Sequence, residues 1–393
     1  MTAPTPPDAA RRALRQLWLV VAVVVFDVAV GGGWDAAYHR TEPFDGFFSP
    51  PHLFIYSLAT VALALVARLV LKRELREQFG APVPVRLPFG SGRGRVLIEV
   101  PAGLVLLAGG MAGLALAAPL DAIWHTRFGL DETPWSLPHA MLGTGLLMVG
   151  LGVVAARIAL AGTIPMRPWT MPLLCLLLLF GSLTLLGPFG NASPAAVLAA
   201  SQEGALATDP AAQRTFQIYL EWNLTRTNPL FIVLGAAWAG FAIALTRPFL
   251  RRTWVWLLVL LVFGWAVDGG TAGTARELGL ESDAASTAGI PILWAALPVA
   301  FLRTRPHVAY LVAGLVFGLI AYAQWGWRDA PLLGLAALPF APVAALAGAL
   351  AAWWTADVVR APREGAAPRL LAVVVLAWPA VTGVIDLVLR RAT

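Results

Sequence analysis

Apolar runs of membrane-spanning length recur from one end of this 393-residue chain to the other, and they decide what it can fold into. A hydrocarbon core about 30 Å thick takes roughly 17–25 apolar residues to cross as a helix. Inside that core every backbone polar group must be satisfied within the protein, and for runs of this length the solution is helical. Such runs lie near 15–34, 53–72, 97–119, 138–160, 169–188, 229–246, 252–268, 288–303, 306–325, 331–355 and 368–388. Residues are 59% hydrophobic and 13% charged, where a soluble domain carries about 25% charged. The expected fold is all-α, a polytopic integral membrane bundle of about eleven transmembrane helices.

Charge sets the expected orientation. Arg11, Arg12 and Arg15 precede the first run, and 68–95 after the second is dense in Lys and Arg. Cytoplasmic loops carry such excess, so the N-terminus is expected in the cytoplasm of a multi-pass protein of the cytoplasmic membrane. Alternation then places 35–52, 120–137, 189–228 and 268–287 at the outer, periplasm-like face. The formal charge of +6 is accounted for by these loops and implies no nucleic acid. The first run lacks a small-residue cleavage site and reads as a retained helix. One Cys, Cys175, excludes an intrachain disulfide and a paired-thiolate metal site.

Two outer segments share a spacing. "DAAYHRTEPFDGFFSPPH" carries Asp35, His39, Asp45 and His52, and "DAIWHTRFGLDETPWSLPH" carries Asp121, His125, Asp131 and His139. Tyr38 and Trp124 precede the first His of each, Pro51 and Pro138 precede the second, and each following run reaches an Ala-Arg pair at 67–68 or 156–157. Four of the five histidines fall here, His307 being the other. This reads as a duplicated helix hairpin. Residues 1–160 form the duplicated region, and 161–393 hold further spans of unknown role with an outer loop at 189–228.

The spacing suits a metal. If the first helix continues through its end, Asp35 and His39 share a face one turn apart, and so do Asp121 and His125. The second His opens the next helix after a proline and returns to the same membrane level. One carboxylate and two imidazoles with open positions suit copper(II), zinc or non-haem iron, whereas copper(I) handling favours Met and Cys, of which the chain has six and one. Each segment holds a complete set, so two separate clusters are expected. Asp45 and Asp131 are expected either to orient ligand imidazoles or to pair with Arg40 and Arg127. Asp27, inside the first run two turns before Asp35, is a further second-shell or proton-relay candidate. Glu99 and Asp386 are the other charges expected within spans, Glu99 near the cytoplasmic end of its span, where snorkelling is the alternative to a functional role. The alternative for the whole pattern is plain: interfacial His, Trp and Tyr that cap and anchor helix ends.

Over about residues 15–160 these segments resemble the C subunit of particulate methane monooxygenase and its ammonia and hydrocarbon monooxygenase relatives. That family carries Asp-x3-His-x12-His followed by Asn-x3-His-x13-His, and the intervals here match both. The departure is Asp121 in place of Asn, an added negative charge expected to strengthen binding of a divalent ion. The resemblance implies copper as cofactor, oxidation of a small apolar substrate by dioxygen, and additional membrane subunits. One of those carries a cupredoxin-like domain that this chain lacks.

Two other function classes stay open. One is non-enzymatic copper acquisition or transfer, which the scarcity of Met and Cys disfavours. The other is a zinc-dependent membrane hydrolase of the alkaline ceramidase type, whose His-x3-His pair is absent here. No catalytic residue is assigned. The segment "TFQIYLEWNLTRTNPLF" in 189–228 reads as an interfacial helix that either connects spans or roofs the sites. The hairpin at 267–291, beginning with Asp268, reads as a third copy without histidines.

Overall fold

The computed structural model describes residues 8–41, 46–86, 97–128, 137–183, 230–277, 289–302 and 306–322, with 343, 346, 349 and 350. The expected runs at 331–355 (those four residues apart) and 368–388, the loop 189–228, Asp45, Asp131 and Asp386 lie outside the described residues. The chain divides into two compact units, 1–131 with 137–174, and 175–393 with 132–136.

The first unit begins with α1 (Asp8–Phe26), which passes through a π-helical turn (Asp27–Gly31) into α2 (Gly32–Thr41). Ala10, Ala13, Gln16, Leu17, Val20 and Val21 are buried at helical spacing, the face that packs against α3 (Pro50–Leu71). Gln16 Nε2 donates to Leu65 O at 2.7 Å across that contact, while Leu19, Val25, Phe26, Val28 and Val30 remain exposed. Exposed apolar side chains of this kind are what lipid requires.

α3 starts where the sequence dictates. Ser49 is extended, and Pro50 and Pro51 occupy the first two helical positions, where a missing N–H costs nothing. At its other end Lys72 leads into the short α4 (Arg73–Arg76). Arg12 pairs with Glu74 at 3.4 Å and Arg73 with Glu77 at 2.6 Å. Gly80, at φ +96°, then turns the chain into β1 (Pro82–Arg86).

β1 pairs antiparallel with β2 (Leu97–Pro101), Pro84 opposite Glu99. This corrects the expected start of the third span. Residues 97–101 are a strand in which Glu99 is exposed, ahead of the helix that forms the candidate span. The β-branched Ile98 and Val100 alternate about Glu99, a pattern that suits a strand better than a helix turn. The helix α5 runs instead over Ala102–Phe128, passing Pro119 and carrying Asp121 and His125 on its last turns.

α5 packs closely on α6 (Leu137–Leu160). A Cβ on Gly110 would lie 2.6 Å from Gly145 O, and one on Gly152 would lie 2.5 Å from Leu107 N, so these positions admit glycine alone. Small residues let backbones meet where lipid supplies no hydrophobic drive for association. Arg157 near the end of α6 is buried and donates to Ile164 O and Pro165 O, closing the following turn. Arg68, its counterpart in the other Ala-Arg pair, is exposed.

The division between units falls within α7 (Thr170–Leu183). The second unit holds α8 (Leu230–Thr246), α9 (Thr253–Glu277), α10 (Gly289–Phe301) and α11 (Pro306–Tyr322). The indoles of two fully buried tryptophans find acceptors, Trp238 Nε1 on Ser182 Oγ at 3.2 Å and Trp256 Nε1 on Thr246 Oγ1 at 3.0 Å. Asp268 falls inside α9.

The described residues are mostly helical, and among them four helical stretches are long and apolar enough to cross a membrane: Asp8–Asp35, Pro50–Leu71, Ala102–Trp124 and Leu137–Leu160. All four belong to the first unit.

Candidate functional site

The two helix ends that carry the first motif meet at one level. Asp35 lies in the first turn of α2 and His52 is the third residue of α3. Asp35 Oδ1 stands 3.2 Å from His52 Nε2. The other ring nitrogen, Nδ1, lies 3.1 Å from Gly46 O. That carbonyl also accepts the Ser49 N–H at 2.9 Å, so the turn before α3 and the imidazole are locked together. His52 is buried, and Tyr56, one turn on, stacks against it with centroids 5.6 Å apart. Phe47 covers Tyr56 at 4.8 Å.

Both ring nitrogens of His52 therefore face acceptors. A neutral imidazole has one N–H. If Nδ1–H donates to Gly46 O, the Nε2 lone pair points at a carboxylate oxygen, and a proton or a metal cation must relieve the repulsion. An Nδ1–H held by a backbone carbonyl is also the usual support of an imidazole that ligates through Nε2. The pair thus fits a divalent ion as ligands, and fits equally an imidazolium–carboxylate pair.

The second motif reaches the same place. Asp121 lines a cavity of about 150 Å³ together with Gly46, Phe47, His52, Tyr56, Ala122 and Thr126. His52 of the first hairpin and Asp121 of the second thus line one cavity. The physical reason is the packing of α3 against α5, which brings the two hairpin ends together. His139, half-buried, is the third residue of α6 after Pro138, the position that His52 holds in α3.

His39 lies on α2 and His125 on α5, each one turn after its Asp, and their side chains are outside the described residues. Among the described residues no three of His, Cys, Asp and Glu stand together as a metal cluster. Asp27 falls in the π-helical turn, with Oδ1 buried and without a hydrogen-bond partner among the described residues. Sequence reasoning missed Tyr56, Phe47, Thr126 and the Gly46 carbonyl. Tyr56 was within reach, because i and i+4 share a helix face.

No known family, curated protein or solved structure matches this chain.

Proposed function

We propose that this chain is a copper-binding, multi-pass protein of the cytoplasmic membrane, of about eleven spans, that resembles the C subunit of copper membrane monooxygenases. Its ligands are Asp35, His39 and His52 in one hairpin and Asp121, His125 and His139 in its repeat. The observation that carries this reading is the His52 ring, set between Gly46 O at 3.1 Å and Asp35 Oδ1 at 3.2 Å. Nε2 and the carboxylate converge as a ligand pair, and the adjoining cavity leaves room for a small molecule. Copper held there would supply one-electron chemistry toward dioxygen. The chain's own part is to hold the ligands, to exclude bulk water with Phe47 and Tyr56, and to accept an apolar substrate from lipid.

The test is metal analysis of protein purified in mild detergent, with electron paramagnetic resonance to identify copper(II) bound through histidine nitrogen. Loss of about one site's share of that signal in His52→Ala is the expected result. Protein that is folded and metal-free after incubation with copper overturns the reading, and the imidazolium–carboxylate anchor replaces it.

A further inference from the structure

The first span departs from α-helical geometry at one place, directly before the motif. Over Asp27–Gly31 the backbone is π-helical, and the Gly32 N–H bonds to Asp27 O, five residues back. Such a turn holds one residue more than an α-turn would. Each residue of an α-helix advances the face by about 100°. An unbroken helix of the same sequence would therefore turn Asp35 by about that angle and present Trp34 where Asp35 now stands.

The observed phase is the one that matters to the site. Asp35 meets His52 at 3.2 Å, while Trp34 lies outward, 43% exposed, with its ring edge on Phe54 at 5.8 Å. The widened turn is fitted to its neighbour. A Cβ on Gly31 would stand 2.8 Å from Ile55 Cγ1 and 2.9 Å from Asp27 Oδ1, so only glycine lets the turn, the Asp27 carboxyl group and α3 share this space. Gly32 and Gly33, just beyond, have nothing within 4 Å of where a Cβ would be.

We infer that the π-helical turn, with Gly31 and Asp27 as its positioning residues, aims Asp35 rather than Trp34 at His52. This rests on the proposed role of Asp35 as a ligand, and its geometry can be read without metal. The turn's one surplus residue makes an asymmetric prediction. Deleting Ala29, which is exposed within the turn, collapses it to an α-turn and leaves Asp35 in phase. Inserting one alanine between Gly32 and Gly33 has no surplus to absorb it and swings Asp35 away.

The experiment places Asp35→Cys and His52→Cys in a Cys175→Ala background and joins them with dibromobimane, a short thiol cross-linker that fluoresces when both ends react. Cross-linking is expected in the parent and in the Ala29 deletion, and at background in the insertion. A deletion that loses the cross-link while the protein stays in the membrane, or an insertion that keeps it, overturns the inference. Should the deletion variant fail to accumulate, the insertion decides alone. In the chain with Asp35 and His52 intact, copper binding should follow the same pattern. If the cross-links behave as expected and even the parent binds no copper, the metal reading fails and the positioning stands.

Discussion

An imidazole between two acceptors is the sharpest chemical statement the chain makes, and it separates two roles that sequence spacing alone leaves merged. If Asp35 and His52 form only an ion pair, Asp35→Asn keeps the shape, removes the charge and leaves metal content at zero before and after. If they are ligands, Asp35→Asn should weaken copper retention by at least about tenfold, since even changes around a metal ligand cost about 10–100-fold. Dialysis against a graded copper chelator, followed by elemental analysis, reads the difference. The histidines on the helix faces make a companion prediction. His39→Ala and His125→Ala should each remove about one site's share of copper and the double change nearly all of it, while His307→Ala, at the start of α11, should change nothing. A folded double variant that binds copper at the parental ratio would sink the metal assignment of both segments.

Helices in this chain are held by close backbone approach, and glycine positions can be ranked by what surrounds them. Gly110→Val and Gly152→Val drive a side chain into backbone atoms at 2.6 Å and 2.5 Å, and overpacking of this kind costs about 1–3 kcal/mol. Gly32→Ala meets nothing and relieves a helical glycine, a gain of up to about 1 kcal/mol. Thermal unfolding in detergent should lower the midpoint for the first two and leave the third at or above the parent. This contrast also marks what the sequence made legible. Apolar length alone located α3, α6 and the described helices that follow, because a long apolar run has few ways other than a helix to satisfy its backbone. It misjudged 97–101, since Leu-Ile-Glu-Val-Pro is apolar enough to join the run while its alternation belongs to a strand. It ended the third run at 119, yet α5 continues past Pro119 to Phe128. Asp35 and His52 were legible because their spacing was read as chemistry. The Gly46 carbonyl was not, because any residue could supply one, and the π-helical turn was not, because "VAVGGG" signals a loosened helix without giving its phase.

The ends of the first unit differ in a way that bears on how the protein sits in a bilayer. Asp35, Gly46, His52 and Asp121 gather at one end of the four long apolar helices. The other end carries the Arg12–Glu74 and Arg73–Glu77 pairs, α4 and the β1–β2 hairpin. Hairpin tips brought together by one cavity must lie on the same side of any membrane these helices cross. In the orientation proposed here that opposite end, dense in Arg and Lys, faces the cytoplasm. In a Cys175→Ala background, Thr41→Cys and Thr133→Cys should therefore react with a membrane-impermeant maleimide in intact cells, and Lys72→Cys only after lysis. Because Thr41 and Thr133 belong to different hairpins, they must agree with each other whichever way the protein faces. Labelling of Lys72→Cys alone in intact cells would invert the orientation and put the site in the cytoplasm. Labelling that splits Thr41 from Thr133 would break the shared cavity itself, and with it the pairing of the two hairpins.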